Sequence, residues 1–383
     1  MSRSFRKRGV DYPLSERMLA LPGRYFHDQA IYEEELDKIF YQRWLFACRA
    51  EEIAGPGDFV VREIGHESII LVRDHEDVIR AWFNVCRHRG TRICTDASGC
   101  FTSKHIQCPY HAWTYNLQGE LVSAPQFSRA ERGSDRNFAL FPAATHVWEG
   151  FVFINLSRDP VPFAEQMGQL NSRFADWDLP ALRCAHRIRY DLKCNWKLIF
   201  QNYQECYHCP GVHPLLSTLT PFDSAAHDCM EGAVIGGYMD LTRQRGSMTM
   251  DGKAAGPPLG RVSGDDLQRV YYYTVYPNLL LTPHPDFVLY HHIIPHGPGR
   301  ITNICHWLFH PDVINDVEAA DRIQSAVAFW DLTNRQDWAV CEQMQAGTRS
   351  TRYDRGLYMS SEDVLYALDR EYLRMMGHDM DPG

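Results

Sequence analysis

No stretch of the 383-residue chain reaches the ~18 uncharged apolar residues that would span a bilayer, so an integral membrane protein is not expected. Basic charge is also short: 39 Lys and Arg stand against 48 Asp and Glu, a net charge of −9. That balance argues against nucleic acid or an anionic membrane as a partner. No G-x-G-x-x-G follows a strand-like run, and Gly55-Pro-Gly and Gly297-Pro-Gly read as turns; a dinucleotide-binding fold is therefore not expected. Internal repeats and low-complexity tracts are missing too. The basic start, Met1-Ser-Arg-Ser-Phe-Arg-Lys-Arg, has no apolar run behind it. It is expected to be a mobile arm rather than a secretory leader, and a cytoplasmic location follows from that expectation.

What is present is core and ligand chemistry. Hydrophobic residues make up 45% of the chain and aromatics 12%, enough for two domains or one large one. There are 12 cysteines and 18 histidines. Without a leader, a disulfide framework is not expected. Cys48, Cys94, Cys100, Cys184, Cys194, Cys229 and Cys305 are scattered and read as buried free thiols.

The pattern along the chain predicts α+β in three segments: 1–43, 44–156 and 157–383. A helix is expected over 32–44, with Glu33, Glu34, Glu35 and Asp37 early, where acidic side chains suit the helix dipole. Short β-rich runs follow, such as Asp58-Phe-Val-Val-Arg-Glu-Ile and Glu67-Ser-Ile-Ile-Leu-Val-Arg, and Gly150-Phe-Val-Phe-Ile-Asn-Leu closes an all-β unit. Beyond it, strands are expected at 183–192, 270–275, 279–281, 287–294 and 303–309, and helices at 196–207 and 317–345. Grouped strands between long helices point to an antiparallel sheet. Segment 245–266, rich in Gly, Pro, Ser and charge, reads as a long surface loop, a candidate lid.

Two constellations carry chemistry. In the β unit, Asn84-Val-Cys-Arg-His-Arg-Gly-Thr precedes Gln107-Cys-Pro-Tyr-His-Ala-Trp. Cys86, His88, Cys108 and His111 thus form one C-x-H and one C-x2-H pair. Two facing loops of this kind can hold two irons, one by thiolates and one by imidazoles, with a potential of about −150 to +300 mV. A Cys2His2 zinc site is the alternative, although common zinc fingers order their ligands C, C, H, H.

The second constellation lies on the helix expected after Asn195. Asn202, Glu205 and His208 are successive i, i+3 neighbours and would share a face. Pro210-Gly-Val-His-Pro would break that helix and return His213 beside His208. Two imidazoles and one carboxylate leave open positions on Fe(II). Asp337 is the first candidate carboxylate, Asp331 the second, and Glu342 the third, reading as solvent-facing. A pair of hydrogen-bonded structural histidines is the bland alternative, and Glu205 could equally be an ordinary helix carboxylate.

Taken together, these motifs resemble those of Rieske-type non-haem iron oxygenase α subunits. Asn-Tyr-x-Glu-Cys-Tyr-His-Cys-x-x-x-His over 202–213 is most similar to the branch acting on choline, carnitine and glycine betaine, as is Asp337…Cys341-Glu…Gln345-x-Gly. The resemblance implies a [2Fe–2S] cluster, Fe(II), use of O2, a helix-grip antiparallel catalytic domain on which the 1–43 segment packs, and a homotrimer. It also implies that Glu205 bridges His208 and a neighbouring subunit's His111. Many ring-hydroxylating relatives carry Asp at that position, so Glu points away from dihydroxylation.

With no dinucleotide fingerprint and no plant-ferredoxin spacing, electrons from NAD(P)H would need a separate flavin/iron–sulfur reductase, which Arg87 and Arg89 could meet. Tyr271, Tyr273, Phe287 and Trp307 are candidate pocket residues, since aromatic faces attract quaternary ammonium ions. Alternation would set Tyr272 and Tyr276 on the opposite face. The resemblance implies N-demethylation of a betaine-type acid; aromatic-acid hydroxylation and a non-enzymatic electron carrier are the other readings.

Overall fold

The computed structural model describes residues 18–127, 137–242 and 246–379. The basic arm expected at the start lies outside them. The chain divides into two compact units, one of Phe40–Val161, the other drawn from residues up to Ile39 and from Pro162 onward. Among the described residues no helix is long and apolar enough to cross a membrane.

The first unit is all β. Strands β1 (Leu45–Arg49), β2 (Asp58–Ile64), β3 (Glu67–Arg73), β4 (Ile79–Phe83) and β5 (Ser98–Cys100) are followed by a small sheet of β6 (His105–Gln107), β7 (Thr114–Asn116) and β8 (Leu121–Ser123). β9 (Pro142–Trp148) and β10 (Phe151–Asn155) complete a larger sheet ordered β1-β10-β9-β4-β3-β2-β5. Ile69, Ile70, Leu71 and Val72 on β3 are buried on both faces, as a central strand requires. The core includes Phe59, Trp82, Ile93, Ile106, Trp113, Tyr115 and Leu117, and the thiols Cys86 and Cys108 lie within it.

The second unit is built on a seven-stranded antiparallel sheet. Its strands are β11 (Arg183–Leu192), β12 (Ala226–Cys229), β13 (Val234–Asp240), β14 (Arg269–Val275), β15 (Leu279–Pro283), β16 (Val288–Gly297) and β17 (Arg300–Phe309), ordered β11-β17-β16-β15-β14-β13-β12. Four helices matter for the site: α1 (Gln29–Glu35), α2 (Trp196–Gln204), α3 (Cys209–Val212) and α4 (Ala320–Gly347). A fifth, α5 (Asp363–Met376), packs on α2. Helix α1 stops at Glu35 and continues as a π-helical turn, Leu36–Phe40, earlier than expected. Its Glu35 is fully buried and accepts from Trp196 Nε1 (2.8 Å), Tyr372 Oη (2.7 Å) and Lys197 Nζ. A buried carboxylate needs such partners, and these tie α1 to α2 and α5.

Two expectations give way here. The segment after residue 245 is not an exposed lid. Ser247, Met248, Thr249 and Ala255 are buried. The buried Asp286 carboxylate accepts from Ser247 Oγ (2.7 Å) and from the Ala255 amide (2.6 Å). Composition signalled loop correctly, but not the buried acceptor that pins it. The reading of seven buried thiols also fails in part. Cys100 is exposed, and Cys184 and Cys229 are only partly buried. Cys206 and Cys209, in turn, form a disulfide.

Candidate metal centres

In the β unit, both cysteine loops follow one hydrogen-bond pattern. The Cys86 amide donates to Thr91 O (2.8 Å) and the Gly90 amide to Cys86 O (2.9 Å). The Cys108 amide donates to Trp113 O (2.8 Å) and the Ala112 amide to Cys108 O (3.1 Å). The matching fifth residues, Gly90 and Ala112, are both left-handed, with φ of +74° and +54°. Gly90 takes that conformation freely, while Ala112 is held in it against a steric cost. Asn84 fixes the first loop from below: its Oδ1 accepts from the Ile93 and Cys94 amides, and its Nδ2 donates to Cys94 O.

These loops bring like ligands together. Burial, with the neighbouring Cys108 thiol adding, pushes the Cys86 pKa up, against hydrogen bonds from the His88 amide and the Tyr115 hydroxyl. The imidazoles of His88 and His111 stand 4.7 Å apart between ring centres. Trp113 stacks on His88 at 5.0 Å and 7°. Burial first, then His88 and Arg89, hold the His111 pKa down, favouring the neutral ring a metal needs. A thiol pair beside an imidazole pair fits two irons with unlike ligands. One zinc ion would need all four side chains converging on a point.

In the second unit, Asn195 caps α2 by accepting from the Lys197 amide (3.0 Å). The helix is buried nearly all round, Trp196, Leu198, Ile199 and Phe200 included. Gln204 ends the helix and donates to Thr274 Oγ1 (2.9 Å) on β14. Glu205 is already extended (φ −122°, ψ 155°), so the expected helix to Tyr207 stops three residues short. Asn202, Glu205 and His208 therefore do not share one helical face. The turn is made instead by Glu205, whose Oε2 accepts from the Tyr207 and His208 amides. Pro210 does not break a helix either. It sits in the first turn of α3, where a missing N–H costs nothing.

That turn and α4 converge on one point. His208 Nε2 lies 3.1 Å from His213 Nε2, and Asp337 Oδ1 lies 2.8 Å from His213 Nε2 and 3.2 Å from His208 Nε2. Ligand atoms about 2.1 Å from a shared ion and mutually at right angles would be about 3.0 Å apart; tetrahedral angles would spread them to about 3.4 Å. The triangle fits three adjoining corners of an octahedron, the facial arrangement of two histidines and a carboxylate. Among the described residues this is the one triad of metal-ligating side chains so gathered.

The outer partners are equally specific. Glu205 Oε1 lies 2.5 Å from His208 Nδ1, and Gln336 Oε1 lies 2.8 Å from His213 Nδ1. Burial opposes charge on His208, yet Asp337 and Glu205 outweigh it and push its pKa up to about 10. Burial likewise opposes the Asp337 carboxylate, but His208 and His213 hold its pKa below the usual value. Asp331, six residues earlier on α4, is bound instead by Tyr190 Oη (2.6 Å) and Arg335 (2.9 Å). Glu342 is not simply solvent-facing, since it accepts from the Lys193 amide at 2.8 Å.

A cavity of about 690 Å³, its open mouth included, adjoins the triad. Asn202, Tyr203, Tyr238, Tyr272, Trp330 and Trp338 line it along with Glu205 and Asp337. Tyr271, Tyr273, Phe287 and Trp307, the expected pocket residues, do not. Tyr271 and Tyr273 lie on the other face of β14, against Phe174 at 5.4 and 5.6 Å. Phe287 stacks on His284 at 3.9 Å, and Trp307 packs on His186 at 5.7 Å. Alternation was read correctly, but which face meets α2 and α4 is a tertiary fact. Gln336 and Trp338 left no separate signal in the sequence beyond their place beside Asp337.

Comparison with known proteins agrees with this architecture. The family model for the Rieske [2Fe-2S] domain matches residues 43–142, and that for the ring-hydroxylating α-subunit catalytic domain matches residues 179–378. The chain is 31% identical to the glycine betaine monooxygenase oxygenase subunit of Chromohalobacter salexigens, over 88% of this chain and 81% of that protein. It is 35% identical to the carnitine monooxygenase oxygenase subunit of Escherichia coli K12, over 54% of this chain and 55% of that one. A solved quaternary ammonium Rieske monooxygenase superposes with a TM-score of 0.79 at 22% identity, covering 94% of this chain and 95% of that one; at that identity the likeness speaks for the fold. The chain is an oxygenase component of the Rieske non-haem iron family, built from a Rieske [2Fe–2S] domain and a ring-hydroxylating α-subunit catalytic domain.

Proposed function

We propose that this oxygenase is a monooxygenase that hydroxylates an N-methyl group of a small quaternary ammonium acid, so that the product loses formaldehyde. In this reading Cys86, His88, Cys108 and His111 hold the cluster, and His208, His213 and Asp337 hold the mononuclear iron. When bound, these groups supply single electrons and O2 activation. Glu205 orients His208 through Nδ1, as an outer carboxylate does for a ligating imidazole, and links the two centres across a subunit boundary in a homotrimer. Asn202 stands in the cavity wall as a polar contact. A separate flavin/iron–sulfur reductase supplies the electrons.

The observation that carries the substrate class is the cavity wall. Its described lining has five aromatic rings, from Tyr203, Tyr238, Tyr272, Trp330 and Trp338, and neither Lys nor Arg. Glu205 and Asp337 together offset the charge of a ferrous ion, leaving no net positive field against a cation. Aromatic faces attract quaternary ammonium by about 0.5–2 kcal/mol each. The relatives' names, glycine betaine and carnitine monooxygenase subunits, point the same way.

The test is oxygen uptake and formaldehyde release with a surrogate reductase, across a panel of betaines and aromatic acids. Betaines should give formaldehyde in step with oxygen consumed. Turnover of the aromatic acids alone would overturn the substrate class.

A further inference from the structure

The two histidines of the triad have unlike outer partners. Glu205, a carboxylate, faces His208 Nδ1, whereas Gln336, a neutral carboxamide, faces His213 Nδ1 at 2.8 Å. His213 is 1% exposed, so solvent does not compete for that nitrogen. Its other nitrogen, Nε2, lies 2.8 Å from Asp337 Oδ1. Gln336 and Asp337 are consecutive on α4, and their side chains bracket the His213 ring at its two nitrogens.

We propose that Gln336 is a positioning residue that holds His213 with its proton on Nδ1 and its Nε2 lone pair turned to the metal. An imidazole offers a lone pair at one nitrogen only, and the acceptor at the other selects which. The carboxamide oxygen of Gln336 is such an acceptor and adds no charge. One turn of α4 thereby supplies both a ligand and the orientation of a different ligand.

This inference rests on the reading of His208, His213 and Asp337 as iron ligands, and a control separates the two. His213→Ala should abolish binding of ferrous iron in the full-length protein; retention of full iron would defeat that underlying reading instead. Gln336→Met keeps the volume and removes the acceptor, while Gln336→Glu keeps the acceptor and adds charge. Ferrous iron affinity is read by chelator competition, and ligand geometry by electron paramagnetic resonance of the nitric oxide adduct. Gln336→Met should weaken iron binding about 10–100-fold and shift the nitric oxide signal. Gln336→Glu should restore affinity to near that of the parent protein. Unchanged affinity and signal in Gln336→Met would overturn the proposal. So would an equal loss in both variants, which would make side-chain shape, not the acceptor, the cause.

Discussion

One hydroxyl stands beside the sulfur of Cys86, a proposed cluster ligand. Tyr115 Oη is 3.6 Å from Cys86 Sγ and accepts from the Arg87 amide at 3.2 Å. With that amide on its lone pair, its own proton is free for the sulfur. Burial first, then the Cys86 thiol, push the Tyr115 pKa up, so the proton stays. A hydrogen bond to a ligating sulfur draws off electron density and raises the potential of an iron–sulfur centre. Tyr115→Phe is therefore expected to lower the midpoint potential of the cluster while its visible spectrum persists. Protein-film voltammetry reads this directly, and an unchanged or raised potential would remove Tyr115 from that role. The proposed ligands come from the sequence itself, because residue type and spacing carry them. Tyr115 does not, because its hydroxyl reaches Cys86 only through the packing of β7 against the loop that follows β4.

At the scale of the element, patterning found what is local and missed what packing decides. The β2 and β3 runs and β11 fall where the β-rich segments of the sequence put them. Strands β12 and β13 are not among the expected strands, and β13 carries Gly236-Gly237. In the sheet these glycines allow close approach: a Cβ on Gly236 would lie 2.0 Å from Tyr272 O, and one on Gly237 1.9 Å from Ala226 O. The segment beyond residue 245 is a loop as expected, but nothing local announces Asp286, which pins part of it inside. Burial, opposed by hydrogen bonds from Ser247 and Ala255, raises the Asp286 pKa from 3.8 to about 6. The folded state then binds the proton more tightly than the unfolded one. That contribution to stability is complete below the ordinary value and is lost as pH rises through about 6. Asp286→Asn cannot titrate there. The stability of the parent protein relative to this variant should fall by about 2 kcal/mol between pH 4.5 and 7. Paired denaturant titrations at several pH values measure it. A difference that grows with pH would mean that the hydrogen bonds outweigh burial.

Across the whole molecule, each unit builds its proposed ligand set from its own elements. Cys86, His88, Cys108 and His111 all fall within Phe40–Val161, while His208, His213 and Asp337 all fall beyond Pro162. No ligand is shared, so each centre should fill without the other, though turnover needs both. In the full chain, Cys86→Ser should abolish the visible absorption of the cluster and leave about one iron per chain. Asp337→Ala should keep that absorption and lose about one iron of three. Both variants should fail to couple oxygen uptake to product. Asp331→Ala, which removes the carboxylate paired with Arg335 rather than the one at the histidines, should keep all three. Iron analysis beside the absorption spectrum separates these outcomes. Bleaching of the cluster in Asp337→Ala would mean that the two centres assemble as one, against the division of the ligands between two units.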